Sequence, residues 1–102
     1  MIVEYIRYTI PAARDAAFLA AYERASASLR ASPVCLAYEL TRCDEAPERY
    51  ILRIEWTSVE GHLRGFRGGP EFAGFFQAVR PFLDDIEEMH HYTRTDLVWS
   101  RG

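Results

Sequence analysis

The sequence predicts a small α+β domain in which helices cover one face of a four-stranded antiparallel sheet, with elements in the order β-α-β-β-α-α-β. Three observations predict it. Four stretches alternate their side chains with a period of two, as strands do. Three others repeat apolar residues at helical spacing. The one short link between two alternating stretches, Asp44-Glu45-Ala46-Pro47, is a polar turn that joins its strands as an antiparallel hairpin.

The first strand is read from Ile2 to Ile10, with Ile2, Ile6, Tyr8 and Ile10 on one side and Val3, Tyr5 and Arg7 on the other. Neither side is uniformly polar, so both faces of the sheet are expected to be covered. Pro11 closes the strand, and an alanine-rich helix runs from about Arg14 to Ala31, with Phe18, Ala21, Tyr22, Ala25 and Leu29 as its buried stripe. Ser32-Pro33 stops it. The second strand, Val34 to Cys43, sets Leu36, Tyr38 and Leu40 against Cys35, Ala37 and Glu39, and the third runs from Arg49 to Trp56.

The stretch from Tyr50 to Phe72 organises the rest of the chain. Tyr50, Leu52, Ile54 and Trp56 share a strand face, and Thr57-Ser58-Val59-Glu60 has the spacing of a capping box. Val59, His62, Leu63 and Phe66 then recur at helical spacing, a stripe with a histidine in it. Gly68-Gly69-Pro70 ends this short helix and starts the next, which carries Phe72, Phe75, Phe76 and Val79 on its apolar side until Pro81. Ile86 to Arg94 is the fourth strand, and residues 96–102 read as a tail, with Leu97, Val98 and Trp99 apolar enough to dock. This order is the ferredoxin-like arrangement with its second helix split. Val3, Tyr5, Ile51 and Ala37 would leave the second sheet face apolar, and the simplest cover is a second copy packed face to face, a homodimer.

Composition narrows the function classes. The 102 residues suit one domain, 49% hydrophobic and 14% aromatic, which excludes disorder. A net charge of -3 with no charged block argues against nucleic acid or a membrane surface as partner, and no apolar run is long enough to span a bilayer. The expected location is cytoplasmic. Cys35 and Cys43, if on one strand, stand about 26 Å apart, too far to bridge.

Among residues that carry chemistry, His62 is a candidate proton acceptor or, on the plainer reading, a histidine near a helix start. Trp56 lines a cavity or simply fills the core, and its indole N–H needs a partner if buried. Tyr8 and Tyr22 lie on faces expected to meet, where they hydrogen-bond a substrate hydroxyl or pack. Arg53 either stabilises an anion or pairs with Glu55 across an interface. His90 and His91 point to opposite faces, so they do not share a metal from a straight strand; no metal and no cofactor is expected. A haem with His62, His90 or His91 as axial ligand is a minor alternative.

The strand Arg49–Trp56, its continuation through Ser58 and Glu60, and the helix start Pro70-Glu71-Phe72 resemble the antibiotic biosynthesis monooxygenase family of dimeric α+β barrels, over Ile2 to about Tyr92. The resemblance implies one domain over residues 1–95 with a tail over 96–102, a homodimer through the sheet face, and oxidation of a phenolic, polyketide-like small molecule by O2 without metal or flavin. Trp56 matches the family's tryptophan, whereas His62 lies three residues before the usual histidine. The enzyme reading expects a cavity of several hundred Å3 with His62 and Trp56 as its catalytic groups and Tyr8, Tyr22, Arg53, Phe66, Phe72 and Phe76 around the substrate. This chain has Gly65 and Glu71 where many members carry histidines, and it contains no Asn. The alternative is a dimer of the same fold that binds or interacts without catalysis.

Overall fold

The computed structural model describes Met1–Gly102. Strands β1 (Ile2–Thr9), β2 (Cys35–Arg42), β3 (Arg49–Trp56) and β4 (Ile86–Thr93) form one antiparallel sheet in the order β2-β3-β1-β4. Helices α1 (Asp15–Ala31) and α2 (Phe72–Val79), with a wide π-helical turn at Gly61–Phe66 between β3 and α2, lie on one face. This is the ferredoxin-like arrangement, a four-stranded α+β domain with its second helix split.

Burial follows the alternation. Ile6 and Tyr8 of β1 and Tyr50, Leu52, Ile54 and Trp56 of β3 are buried under Phe18, Ala21, Tyr22, Ala25 and Leu29 of α1, the very stripe that the spacing picks out. Phe18 is the hub of an aromatic cluster: Tyr8, Tyr22, Tyr50 and Phe82 all lie 4.9–5.3 Å from its ring. Such edge-on pairs add stabilisation beyond area burial. The opposite face carries Tyr5, Arg7, Ala37, Ile51 and Arg53 and has no helix over it, but Val3, expected to be bare there too, is already buried within the single chain.

Three local features depart from the sequence expectations. In β2 the register shifts between Cys35 and Ala37, so Leu36 is a bulged residue, 54% exposed, and Cys35 joins the helix side opposite Trp56. The cap of the turn after β3 is Ser58, whose hydroxyl accepts from the Gly61 N–H at 2.8 Å, not Thr57. Thr57 still belongs to the sheet edge, its N–H donating to the Val34 carbonyl, so the helix starts one residue later. Third, the Gly61–Phe66 segment closes through Arg67 N–H to His62 O, five residues apart, rather than by α-helical bonds. The wider turn buries His62 and Phe66 and leaves Val59 and Leu63 over a third exposed, so half the expected stripe faces outward.

The double glycine after this turn owes its place to close packing rather than to an unusual backbone angle. A Cβ on Gly69 would lie 2.2 Å from the Gly65 carbonyl oxygen, and one on Gly68 2.6 Å from that of Arg64. After β4 the chain has no regular structure, and Leu97, Val98 and Trp99 are exposed.

Candidate functional site

One corner of the helix-covered face is polar. Glu4 of β1 points into the core, 2% exposed, and lies directly across from His91 of β4. Trp56 ends β3 beside it, fully buried, and its indole N–H donates to Glu4 Oε1 at 3.0 Å. The π-helical turn lays the His62 ring flat on that indole, with centroids 4.3 Å apart and planes 13° from parallel. His62 Nε2 stands 3.6 Å from Glu4 Oε1, and its Nδ1 is 2.6 Å from His91 Nε2. Carboxylate, buried imidazole and partly exposed imidazole thus form a line from the core to the edge strand.

Each of the three titrates away from its ordinary value. Burial pushes the Glu4 carboxyl up, opposed by the Trp56 N–H and the positive charge of Arg67. Burial brings His62 down to about 4, with Arg67 and His91 adding to the shift, so its imidazole is neutral at pH 7. His91 is lowered too, by burial and then by Arg67. At neutral pH the contact between the two rings is therefore a hydrogen bond between neutral imidazoles, in which one donates its N–H and the other accepts with its lone pair. The hollow beside them, lined by Glu4, Trp56, His62, Phe66, Arg67 and Met89 among others, holds about 40 Å3. That is room for a water or two, not for a polycyclic ring system or a porphyrin.

Residues 1–78 match the family model for antibiotic biosynthesis monooxygenase. The chain belongs to the antibiotic biosynthesis monooxygenase family. A family structure from Bordetella bronchiseptica is 27% identical, with 92% of this chain and 96% of that one aligned at a TM-score of 0.73. SnoaB of Streptomyces nogalater, a cofactor-independent oxygenase solved as a mutant, shares the fold at a TM-score of 0.75 and 22% identity, over 94% of this chain and 95% of that one. An uncharacterised Bacillus subtilis protein, YczJ, is 28% identical over 57 residues; the match covers 56% of this chain and 60% of that relative.

Within this family frame, the residues singled out from sequence fall in three places. His62, Trp56, Phe66 and Phe72 surround the small hollow. Phe76 does not: it lies on the outer side of α2, 38% exposed, with its ring 5.6 Å from that of Phe72. Tyr8 and Tyr22 meet as expected, but their hydroxyls hydrogen-bond each other within the core, and burial pushes Tyr8 up to about 12 and Tyr22 well above its usual value. Arg53 lies on the bare sheet face, 2.6 Å from Glu55, where it does not reach His62. A separate hollow of about 550 Å3 opens at the far end of β1 among Arg7, Arg42, Arg49 and Tyr50, away from the histidines. Arg42 is held there by Asp15 and the Tyr50 hydroxyl, so this recess is a structural end-cap of the sheet more than a reactive site.

Glu4, His91 and Arg67 are the members that sequence reasoning did not place in the site. One signal was available: Glu4 sits between Ile2 and Ile6 on the apolar side of β1, and a carboxylate in such a row needs a buried partner. As for Gly65, a Cβ there would meet Val34 Cγ1 at 3.0 Å, so a side chain at that position fits only if Val34 gives way by a few tenths of an ångström. No helix of the structure is long and apolar enough to cross a membrane.

Proposed function

We propose that this chain is a cofactor-independent oxygenase of a phenolic or similarly acidic aromatic small molecule, working as a homodimer through its bare sheet face. The observation that carries the reading is the line Glu4–His62–His91, which joins a buried carboxylate beside the hollow to a partly exposed imidazole on the edge strand. His91 takes the substrate proton, and His62 accepts one in turn through the 2.6 Å contact. A proton on His62 works against the burial that keeps the ring neutral at rest, and only the Glu4 carboxylate 3.6 Å away and the Trp56 indole face offset that cost while the proton is held. Arg67, rather than Arg53, is near enough to hold the substrate anion. The deprotonated, electron-rich ring then reduces O2 itself: one oxygen atom ends as a ring carbonyl and the other leaves as water. Because the hollow is small, the ring system docks over Met89 and Phe72 at the mouth instead of entering.

A second reading, a binding or interaction dimer without catalysis, is favoured by the same 40 Å3, since Phe66, Phe72 and Phe75 fill most of the space that a buried substrate needs. O2 uptake with a panel of anthrones and hydroquinones, in the presence of chelator, separates the two. The oxygenase reading expects native protein to exceed His62→Ala and His91→Ala by about 100-fold or more. Equal, background-level uptake from all three removes it for that panel and leaves the binding reading.

A further inference from the structure

We infer that Glu4, His62 and His91 also form a binding site for a divalent transition-metal ion of the Zn2+, Co2+ or Ni2+ class. One carboxylate oxygen and one nitrogen from each ring lie within 4.8 Å of one another. Ligands around such an ion at 2.0–2.1 Å sit roughly 3–3.4 Å apart, so the three need to close by about an ångström. The approach is within reach because His91 is on an edge strand and partly exposed, free to turn its ring off His62 Nδ1. Glu4 and His62 are already 3.6 Å apart and rigidly held.

The donor set is two imidazoles and one carboxylate, which suits borderline metals and is too poor in oxygen for Ca2+ or Mg2+. The surroundings have the features of a metal shell. The Trp56 N–H bonds Glu4 Oε1 and fixes the carboxylate, as outer-shell donors do. The adjoining 40 Å3 has space for a water on the open coordination positions. A buried carboxylate with one indole donor also gains a counter-charge. Arg67 works against the site, since its positive charge reaches all three ligands.

The site uses the side chains of the oxygenase reading but does not depend on it. An ion on His62 and His91 occupies the lone pairs that would take a proton, so bound metal switches off the metal-free reaction. The test is Co2+ titration of chelator-stripped protein, read by the visible d–d bands, with Zn2+ competition. One Co2+ per chain is expected, with affinity about 100-fold weaker in Glu4→Gln and in His91→Ala, unchanged in His90→Ala, and several-fold tighter in Arg67→Gln. His90 is the control because it neighbours His91 in sequence but lies on the other sheet face. His91→Ala, at a partly exposed edge position, keeps the fold, which far-ultraviolet circular dichroism checks. Absence of Co2+ bands up to millimolar metal overturns the inference, as does binding that His91→Ala leaves intact or that His90→Ala weakens equally. A metal that binds while O2 uptake stays at background leaves this site standing and removes only the oxygenase.

Discussion

Burying His62 as a neutral ring makes stability depend on pH with a sign and a size that its titration fixes. The side chain titrates at about 6.5 when unfolded and about 4 when folded. Between those values the unfolded chain holds the extra proton, so stability rises with pH and is lost as pH falls from about 6.5 towards 4. From the two values, this residue costs the fold about 0.2 kcal/mol at pH 7 and about 2 kcal/mol at pH 5. Glu4 acts with the opposite sign, because its raised folded value means that acid relieves a cost of burial, and His91, lowered by burial, acts with the same sign as His62, so the native pH curve alone would mix all three. The comparison that isolates the histidine is native protein against His62→Gln, each unfolded in urea at pH 7 and pH 5 at one fixed protein concentration. Native protein should lose about 2 kcal/mol more than the variant between the two pH values, a difference of roughly 1 M in midpoint. Parallel losses would show that His62 charges freely in the folded state and that burial does not hold its ring neutral.

Three further outcomes are expected. Tyr8→Phe and Tyr22→Phe each strand the other buried hydroxyl at about 1–3 kcal/mol, while the double variant costs clearly less than their sum; strict additivity in denaturant melts would contradict the hydrogen bond between them. Gly69→Ala, whose Cβ would press on the Gly65 carbonyl, should lower stability by about 1–3 kcal/mol, whereas Gly102→Ala, in open space, leaves thermal melting unchanged. Ile51→Glu on the bare face should halve the mass seen by light scattering, and native protein already at 11.8 kDa would dispose of the dimer without any mutation.

Element order and helix faces could be read from the sequence because each rests on repetition. The α1 stripe has five members at helical spacing, and β3 alternates without a break from Arg49 to Trp56. A single misread residue does not change such patterns. Exceptions to a period are harder to see. The Leu36 bulge adds one residue to β2 and reverses the facing of everything before it, yet nothing in Val34-Cys35-Leu36-Ala37 marks it. The π-helical turn is equally silent: α-helical spacing predicts four inward side chains, and five-residue closure delivers two.

The site depends on those exceptions, which is why its outline was half legible. His62 and Trp56 announce themselves as a histidine in an apolar stripe and a tryptophan at a strand end, and they do meet. Their shared partner Glu4 comes from the far end of the chain, through the β1–β3 register that places it across from Ile54, two residues along the strand from Trp56. His91 arrives through the β1–β4 register, on the face opposite its neighbour His90. A strand that offered only apolar groups at position 4 would still fold and would close the corner more tightly, since a buried carboxylate stabilises a core poorly. That the chain instead keeps a carboxylate there, fixes it with an indole N–H and aims two neutral imidazoles towards it is the arrangement of a site that handles charge, whether the charge is a proton or a metal ion.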